Sequence, residues 1–340
     1  MSLRILVTTA ALACAVSAAA ADLDLGAGAT TGAPDFASLG VLAFGPDGVL
    51  FAADSLAGAI YAIDTGEQVG AQIVGSIEVD GIDARIAAMM GTTPENIQIH
   101  DLAVNPVTRR AYLSVSRGTA ADAEVGLFAV GLDGKVEAVD LSSRRHARVD
   151  LGNAPAEDAT DRRGRSLRVE TITDLAYIDG KLLVTGLSNE EFSSKLRALE
   201  FPFSDVSPGT SVEIYHGAHG RWETYAPVRT FATYDAGEEP YVLAAYTCTP
   251  LVKFSLDELE TAGGKVAGTT VAELGNRNRP LDMVIYSRDG SDYILIANSS
   301  RGVMKVELAD LDDVDAIEER IDGTAGLQYE TLKELQGVEQ

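Results

Sequence analysis

Apolar positions in this chain fall into short runs broken by polar corners, and the cleanest example is Leu281 to Leu308, LDMVIYSRDGSDYILIANSSRGVMKVEL. Three apolar segments (Met283 to Tyr286, Tyr293 to Ala297, Val303 to Val306) are separated by Arg288-Asp289-Gly290 and by Ser299 to Gly302. Runs rich in β-branched and aromatic residues, punctuated by Gly, Asp and Asn, predict three strands joined by turns. Upstream, Val41-Leu42-Ala43-Phe44-Gly45-Pro46-Asp47-Gly48 aligns with Asp101-Leu102-Ala103-Val104-Asn105-Pro106, with Asp174-Leu175-Ala176-Tyr177-Ile178-Asp179-Gly180 and with Asp282-Met283-Val284-Ile285-Tyr286; Arg229 to Tyr234 fits more loosely.

After each such phrase comes a second apolar run: Val49 to Ala53, Ala111 to Val115, Leu182 to Thr185, Tyr241 to Ala245 and Tyr293 to Ala297. A third follows the next corner: Ala59 to Ile63, Gly126 to Val130, Lys195 to Leu199, Leu251 to Phe254 and Val303 to Val306. The second runs do not alternate apolar with polar, as expected of strands covered on both faces by neighbouring sheets. Repeats starting near 41, 101, 174, 229 and 282 recur at roughly 50 to 75 residues, the length of one four-stranded blade with insertions. The fold expected is all-β: one β-propeller of five four-stranded blades, or six if the long first or second repeat hides a degenerate blade. Asp22 to Leu25 or Leu327 to Leu335 should add an outer strand on closure, leaving no long unpaired edge.

Two segments break the repeat early. Met1 to Ala21 has Arg4, an apolar stretch from Ile5 to Val16 and a run of small residues ending before Asp22. That order is the order of a secretory signal peptide cut after Ala21, leaving residues 22–340 as the propeller domain. Cys14 lies inside the apolar stretch and is not read as a lipid-attachment site. Between the first two repeats, Asp83 to Met90 spaces Ile86, Ala87, Met89 and Met90 as a helix would, and Thr93-Pro94-Glu95 resembles a second helix start. This insertion is expected to pack on the ring.

Elsewhere the runs are too short for the roughly 18 apolar residues of a membrane helix, so the mature chain is expected in a bacterial periplasm or secreted, as a monomer. Formal net charge is −24, or −25 once Arg4 leaves, which opposes a nucleic-acid partner and favours cations or basic surfaces. Loss of Cys14 leaves Cys248 alone, so no internal disulfide can form and stability rests on core area. Arg144, Arg145, Arg162, Arg163, Arg165 and Arg168 form a basic island read as a long solvated loop, and the acidic stretch Glu307 to Asp322 lacks the central glycine and closing glutamate of a calcium loop.

In a propeller, polar residues entering first strands and leaving second strands converge at the mouth of the central channel. The strand-start group is His100, Asp101, Glu170, Asp174, Arg229, Arg279 and Asp282; the corner group is Asp54, Arg117, Asn189, Glu190, Thr247, Cys248, Asn298 and Arg301. The recurring Asp101, Asp174 and Asp282 suit turn caps or ties between blades. A separate phrase, Tyr215-His216-Gly217-Ala218-His219-Gly220-Arg221-Trp222-Glu223-Thr224-Tyr225, holds two of the four histidines. With Cys248, His216 and His219 (His100 a further candidate) would offer imidazole and thiolate to copper or zinc.

The phrase Leu42-Ala43-Phe44-Gly45-Pro46-Asp47-Gly48-Val49-Leu50-Phe51-Ala52-Ala53-Asp54 resembles repeats of the propeller group that includes NHL-repeat, YncE-like and SMP-30/gluconolactonase-like proteins. The resemblance extends across the blades and implies the fold. For the lactonase branch, usually six-bladed, it implies a divalent metal held by Glu, Asn and Asp ligands that polarises an ester carbonyl, parts that Glu170, Asn189, Asp282 and Asn298 could take. Quinone-cofactor propellers usually repeat tryptophan motifs, and the single tryptophan here argues against them. The sequence contains no catalytic triad, nucleophile elbow or strict metal motif. The expected function is therefore a non-catalytic exported module binding a small ligand, a cation or another periplasmic protein through His100, Asp101, Asp174, Asn189, Arg279, Asp282, Asn298 and Arg301. A metal-dependent lactone or ester hydrolase and a copper or zinc protein are the alternatives.

Overall fold

The structure, a computed structural model, describes residues 23–67, 77–118, 123–204, 209–235, 239–248, 250–261 and 264–335. Five sheets, antiparallel except where Lys265–Ala267 joins Thr210–His216 in parallel, form a ring, a five-bladed β-propeller. Each expected first, second and third strand is present, within a few residues of its predicted bounds. The second strands, Val49–Asp54, Ala111–Arg117, Lys181–Leu187, Pro240–Ala245 and Ser291–Asn298, run mid-sheet, and the first is buried along its whole length.

Alternate residues of each second strand serve different neighbours, because successive side chains point to opposite faces. Leu182 and Val184 pack with Phe51, Ile60 and Ile172 between the first and third blades, whereas Leu183 joins Val212, Val242 and Phe254 between the third and fourth. Leu243, Leu251 and Val271 meet Met283, Ile294 and Met304 between the fourth and fifth. Leu42, Leu50 and Tyr61 meet Tyr112 and Leu127 between the first and second. On the second blade's other face Leu113, Val115 and Phe128 pack with Ile86 of the helix Ile82–Met89, so the insertion lies on the ring as expected.

Blade order in space departs from blade order in sequence. The innermost strands follow one another as Ile97–Val104, Leu42–Phe44, Asp174–Ile178, Thr230–Asp235 and Pro280–Arg288. After Ala59–Asp64 the chain builds the second blade, then returns to place Arg145–Asp150 along Ala59–Ile63 as the first blade's fourth strand. Thr30–Thr31 adds a fifth strand outside it. The basic island is therefore loop only in part, Arg145 being in this strand. The six-blade alternative is not what forms: residues 77–96 give a helix and a 3-10 turn, and residues 139–173 give the returning strand and turns.

Closure uses the carboxy-terminal candidate, since Tyr329–Leu332 pairs with Gly302–Glu307 as the fifth blade's outer strand. Leu23 to Leu25 form no strand, and Leu25 is buried between the first and third blades. The leader, its cleavage point and Asp22 lie outside the described residues. No helix among the described residues is long and apolar enough to cross a membrane.

Candidate functional site

Two blades carry the same irregularity at the channel mouth. Pairing skips one residue between Ile99 and Asp101 in the second blade and between Pro280 and Asp282 in the fifth. Such a bulge re-aims the extra residue, and here His100 and Leu281 both line a cavity of about 540 Å³. All five blades contribute to its wall: Ser38 and Ser55, Gln98 and Ser116, Glu170 and Thr173, Arg229, and Arg279. His100 Nε2 lies 2.8 Å from Ser116 Oγ. The ring is open to the channel but enclosed by protein, and that burial lowers its pKa.

Across the cavity, Arg229 donates to Glu170, and its Nε reaches Thr247 Oγ1 at 3.2 Å. Arg279 is different. Its backbone N–H donates to Ser299 Oγ at 3.0 Å, but among the described residues its guanidinium has no hydrogen bond or ion pair. Burial first, and repulsion from Arg229 second, lower its pKa, with Glu170 opposing both.

Just inside the mouth, Asp101, Asp174 and Asp282 act between blades. Asp101 accepts from Leu42 N at 2.5 Å and Leu102 N at 2.8 Å; Asp174 accepts from Phe231 N at 2.7 Å and Leu175 N at 2.8 Å; Asp282 accepts from Met283 N at 2.7 Å and Thr230 Oγ1 at 3.5 Å. Burial raises all three pKa values, Asp174 to about 7, and mutual repulsion adds to it for Asp101 and Asp174. Backbone donors pull the other way without cancelling it.

The corner group disperses. Asn189 is exposed and its N–H donates to Asn153 O at 2.8 Å, while Glu190 accepts from Asn153 and Lys195. Asn298 is buried, donating to Ile296 O and accepting from Asn278 Nδ2 at 3.1 Å. Arg301 donates to Asn276 O at 3.2 Å beside Gly275, Arg117 to Met90 O at 2.8 Å. Asp54 is fully buried and accepts from Ala37 N, Ser38 N, Ser38 Oγ and Ala57 N, so it builds the loop rather than facing the channel. Of the oxygen set Glu170, Asn189, Asp282 and Asn298, only Glu170 lines the cavity, with its carboxylate on Arg229.

His216, His219 and Cys248 do come together: one donor atom from each lies within 4.8 Å of the others. Strand Thr210–His216 turns at Gly217 to Gly220 into Arg221–Glu223, with His219 N and Gly220 N both donating to His216 O. The imidazole centroids are 3.9 Å apart. Glu223 takes both rings, from His216 Nδ1 at 3.0 Å and His219 Nδ1 at 2.7 Å. Burial alone would raise the Glu223 pKa, but the hydrogen bonds from the two rings outweigh it and bring it to about 2. The role of Glu223 was missed in the sequence, although an acid four residues beyond His219 in a hairpin was the available signal.

No protein-family profile and no curated protein matches this chain. Among solved structures, a PQQ-bound aldose sugar dehydrogenase from Streptomyces coelicolor shares 15% identity over 90% of this chain and 84% of its own, with a TM-score of 0.33. A family 117 glycoside hydrolase from Zobellia galactanivorans shares 10% over 79% and 75%, TM-score 0.34, and an α-L-arabinanase from Cellvibrio cellulosa 12% over 84% and 99%, TM-score 0.30. Similarity this distant transfers no chemistry, so the assignment comes from the sheets themselves: the chain is a five-bladed β-propeller with its polar strand starts gathered at one channel mouth.

Proposed function

We propose that the protein is an exported binding module that takes a small organic anion, a carboxylate or sugar acid, at the channel mouth. The observation that carries this reading is Arg279, a guanidinium lining a roughly 540 Å³ cavity without an acceptor among the described residues, in a chain of net charge −24. Cavities of this size suit small ligands, and a guanidinium fork matches a carboxylate. Arg229 adds positive potential while Glu170 holds it in place; His100, Ser116 and Thr173 supply neutral polar contacts around the same space.

A thermal-shift panel of mono- and dicarboxylates and sugar acids, followed by calorimetric titration of the best, tests this directly. At least one acid should bind wild type, and Arg279→Ala should weaken it ten- to a hundredfold, the worth of about 1.5–3 kcal/mol for a hydrogen bond to a charged group. Equal binding of neutral sugars by wild type and variant, or no response to any acid, would reject the reading. Export is supported by the Met1 to Ala21 pattern. Mass spectrometry of protein from a periplasmic fraction should find a mature chain starting at Asp22; a full-length chain retained in the cytosol would remove this part of the proposal.

A further inference from the structure

The geometry points to a second site, separate from the channel cavity, in which His216, His219 and Cys248 hold one zinc or copper ion. Glu223 is an acceptor only, so both Nδ1 atoms donate to it and each neutral ring keeps its Nε2 lone pair for another partner. His216 is 2% exposed, and its Nε2 is buried without a hydrogen-bond partner among the described residues. A buried polar atom left unpaired is destabilising, and a ligated cation removes that cost. A carboxylate holding ligand imidazoles by the far nitrogen is the usual outer support of a metal site, fixing tautomer and ring direction.

Cys248 comes from the corner after the fourth blade's second strand. It sits at φ +68°, where a residue with a Cβ is strained, and its N–H donates to Asn278 O at 2.7 Å. Two imidazoles and a thiolate select zinc or copper over hard cations. Metal–donor bonds of about 2.0–2.3 Å require donor separations of roughly 3.3–3.8 Å in a tetrahedron; a ring nitrogen of each histidine and the Cys248 sulfur already lie within 4.8 Å of one another, so side-chain adjustment at this one spot brings them into reach of one ion. His219 is 43% exposed at its side chain, which places the fourth position toward solvent. Next to the turn, fully buried Glu273 has Oε1 3.2 Å from Ala218 N, and its Oε2 has no hydrogen-bond partner among the described residues. On binding, the thiol proton is released to solvent and the thiolate becomes the ligand.

The test uses tag-free full-length mature protein, kept reduced, loaded separately with Zn²⁺, Cu⁺ and the spectroscopic probe Co²⁺. Expected are one ion per chain for zinc or copper, a thiolate-to-metal charge-transfer band with Co²⁺, and protection of Cys248 from iodoacetamide by Zn²⁺. Cys248→Ser should abolish the band, His216→Ala should weaken Zn²⁺ at least about a hundredfold, and Glu223→Gln about ten- to a hundredfold with the Co²⁺ band retained. Arg279→Ala should leave metal binding unchanged, so this inference and the anion reading fail separately. Substoichiometric metal, a Co²⁺ spectrum lacking the thiolate band, or a wild-type Cys248 alkylated equally fast with and without Zn²⁺ would overturn the inference; the last result would mark Cys248 as a free thiol beside imidazoles.

Discussion

Gly186→Ala is expected to cost about 3 kcal/mol or more of stability and to disable the channel mouth. Gly186 lies in the third blade's second strand, and a Cβ there would stand 2.0 Å from Thr171 O and 2.6 Å from Thr171 C. These are backbone atoms of the turn that carries Glu170, and Thr171 is itself fully buried. Overpacking usually costs 1–3 kcal/mol where side chains can shift; here the turn must lift, straining Thr173 N to Thr185 O (2.9 Å) and the Glu170–Arg229 pair. Urea denaturation would check the loss, which should come with weakened anion binding. A loss below about 1 kcal/mol would mean that the turn tolerates displacement.

The second large effect concerns pH. Asp174 carries a folded pKa of about 7 against an ordinary 3.8, chiefly through burial and then the neighbouring Asp282. A carboxyl with a raised folded pKa takes up a proton on folding between those values. Its charge therefore carries no penalty below about pH 4, and the penalty grows as pH rises to about 7. At about 1.4 kcal/mol per unit the full effect is at most about 4 kcal/mol. Asp174→Asn should be less stable than wild type at pH 4, where it loses an acceptor for Phe231 or Leu175. The gap should narrow or reverse by pH 8, a relative gain of about 2–4 kcal/mol. Urea melts of both proteins across this range provide the measurement, and a gap constant with pH would show that Asp174 is ionised throughout. Asp101, raised by the same causes, pushes wild type in the same direction.

Strands were legible in the sequence because burial on both faces leaves continuous apolar runs, and turns announce themselves through Gly, Asp and Pro. The aspartates at strand starts were legible as ties between blades, since each recurs in register. Other features depended on information that no local pattern carries. The bulges that turn His100 and Leu281 into the cavity are differences in pairing between two strands, invisible in either one alone. Corner residues such as Asn189, Asn298 and Arg301 were expected to converge, but each is tied to its own surroundings: the Asn189 backbone N–H donates to Asn153 O, and the Asn298 and Arg301 side chains donate to Ile296 O and Asn276 O. His216 and His219 were joined to Cys248 by chemistry alone; their actual proximity needed a hairpin of one blade to reach the corner of the next. The return of Arg145–Asp150 was unreadable because an outer strand is short and half-exposed, so its apolar signal fades into that of loops.

That returning strand bears on how the molecule is made. Until residue 145 leaves the ribosome, Ala59–Asp64 exposes an unpaired row of backbone donors and acceptors, a template for mispairing with another nascent chain. The first blade's pairing thus spans Thr30 to Asp150, and its earlier strands wait on residues 145–150. Synthesis that stalls between Asp64 and Arg145 would leave the amino-terminal sheet in its most aggregation-prone condition.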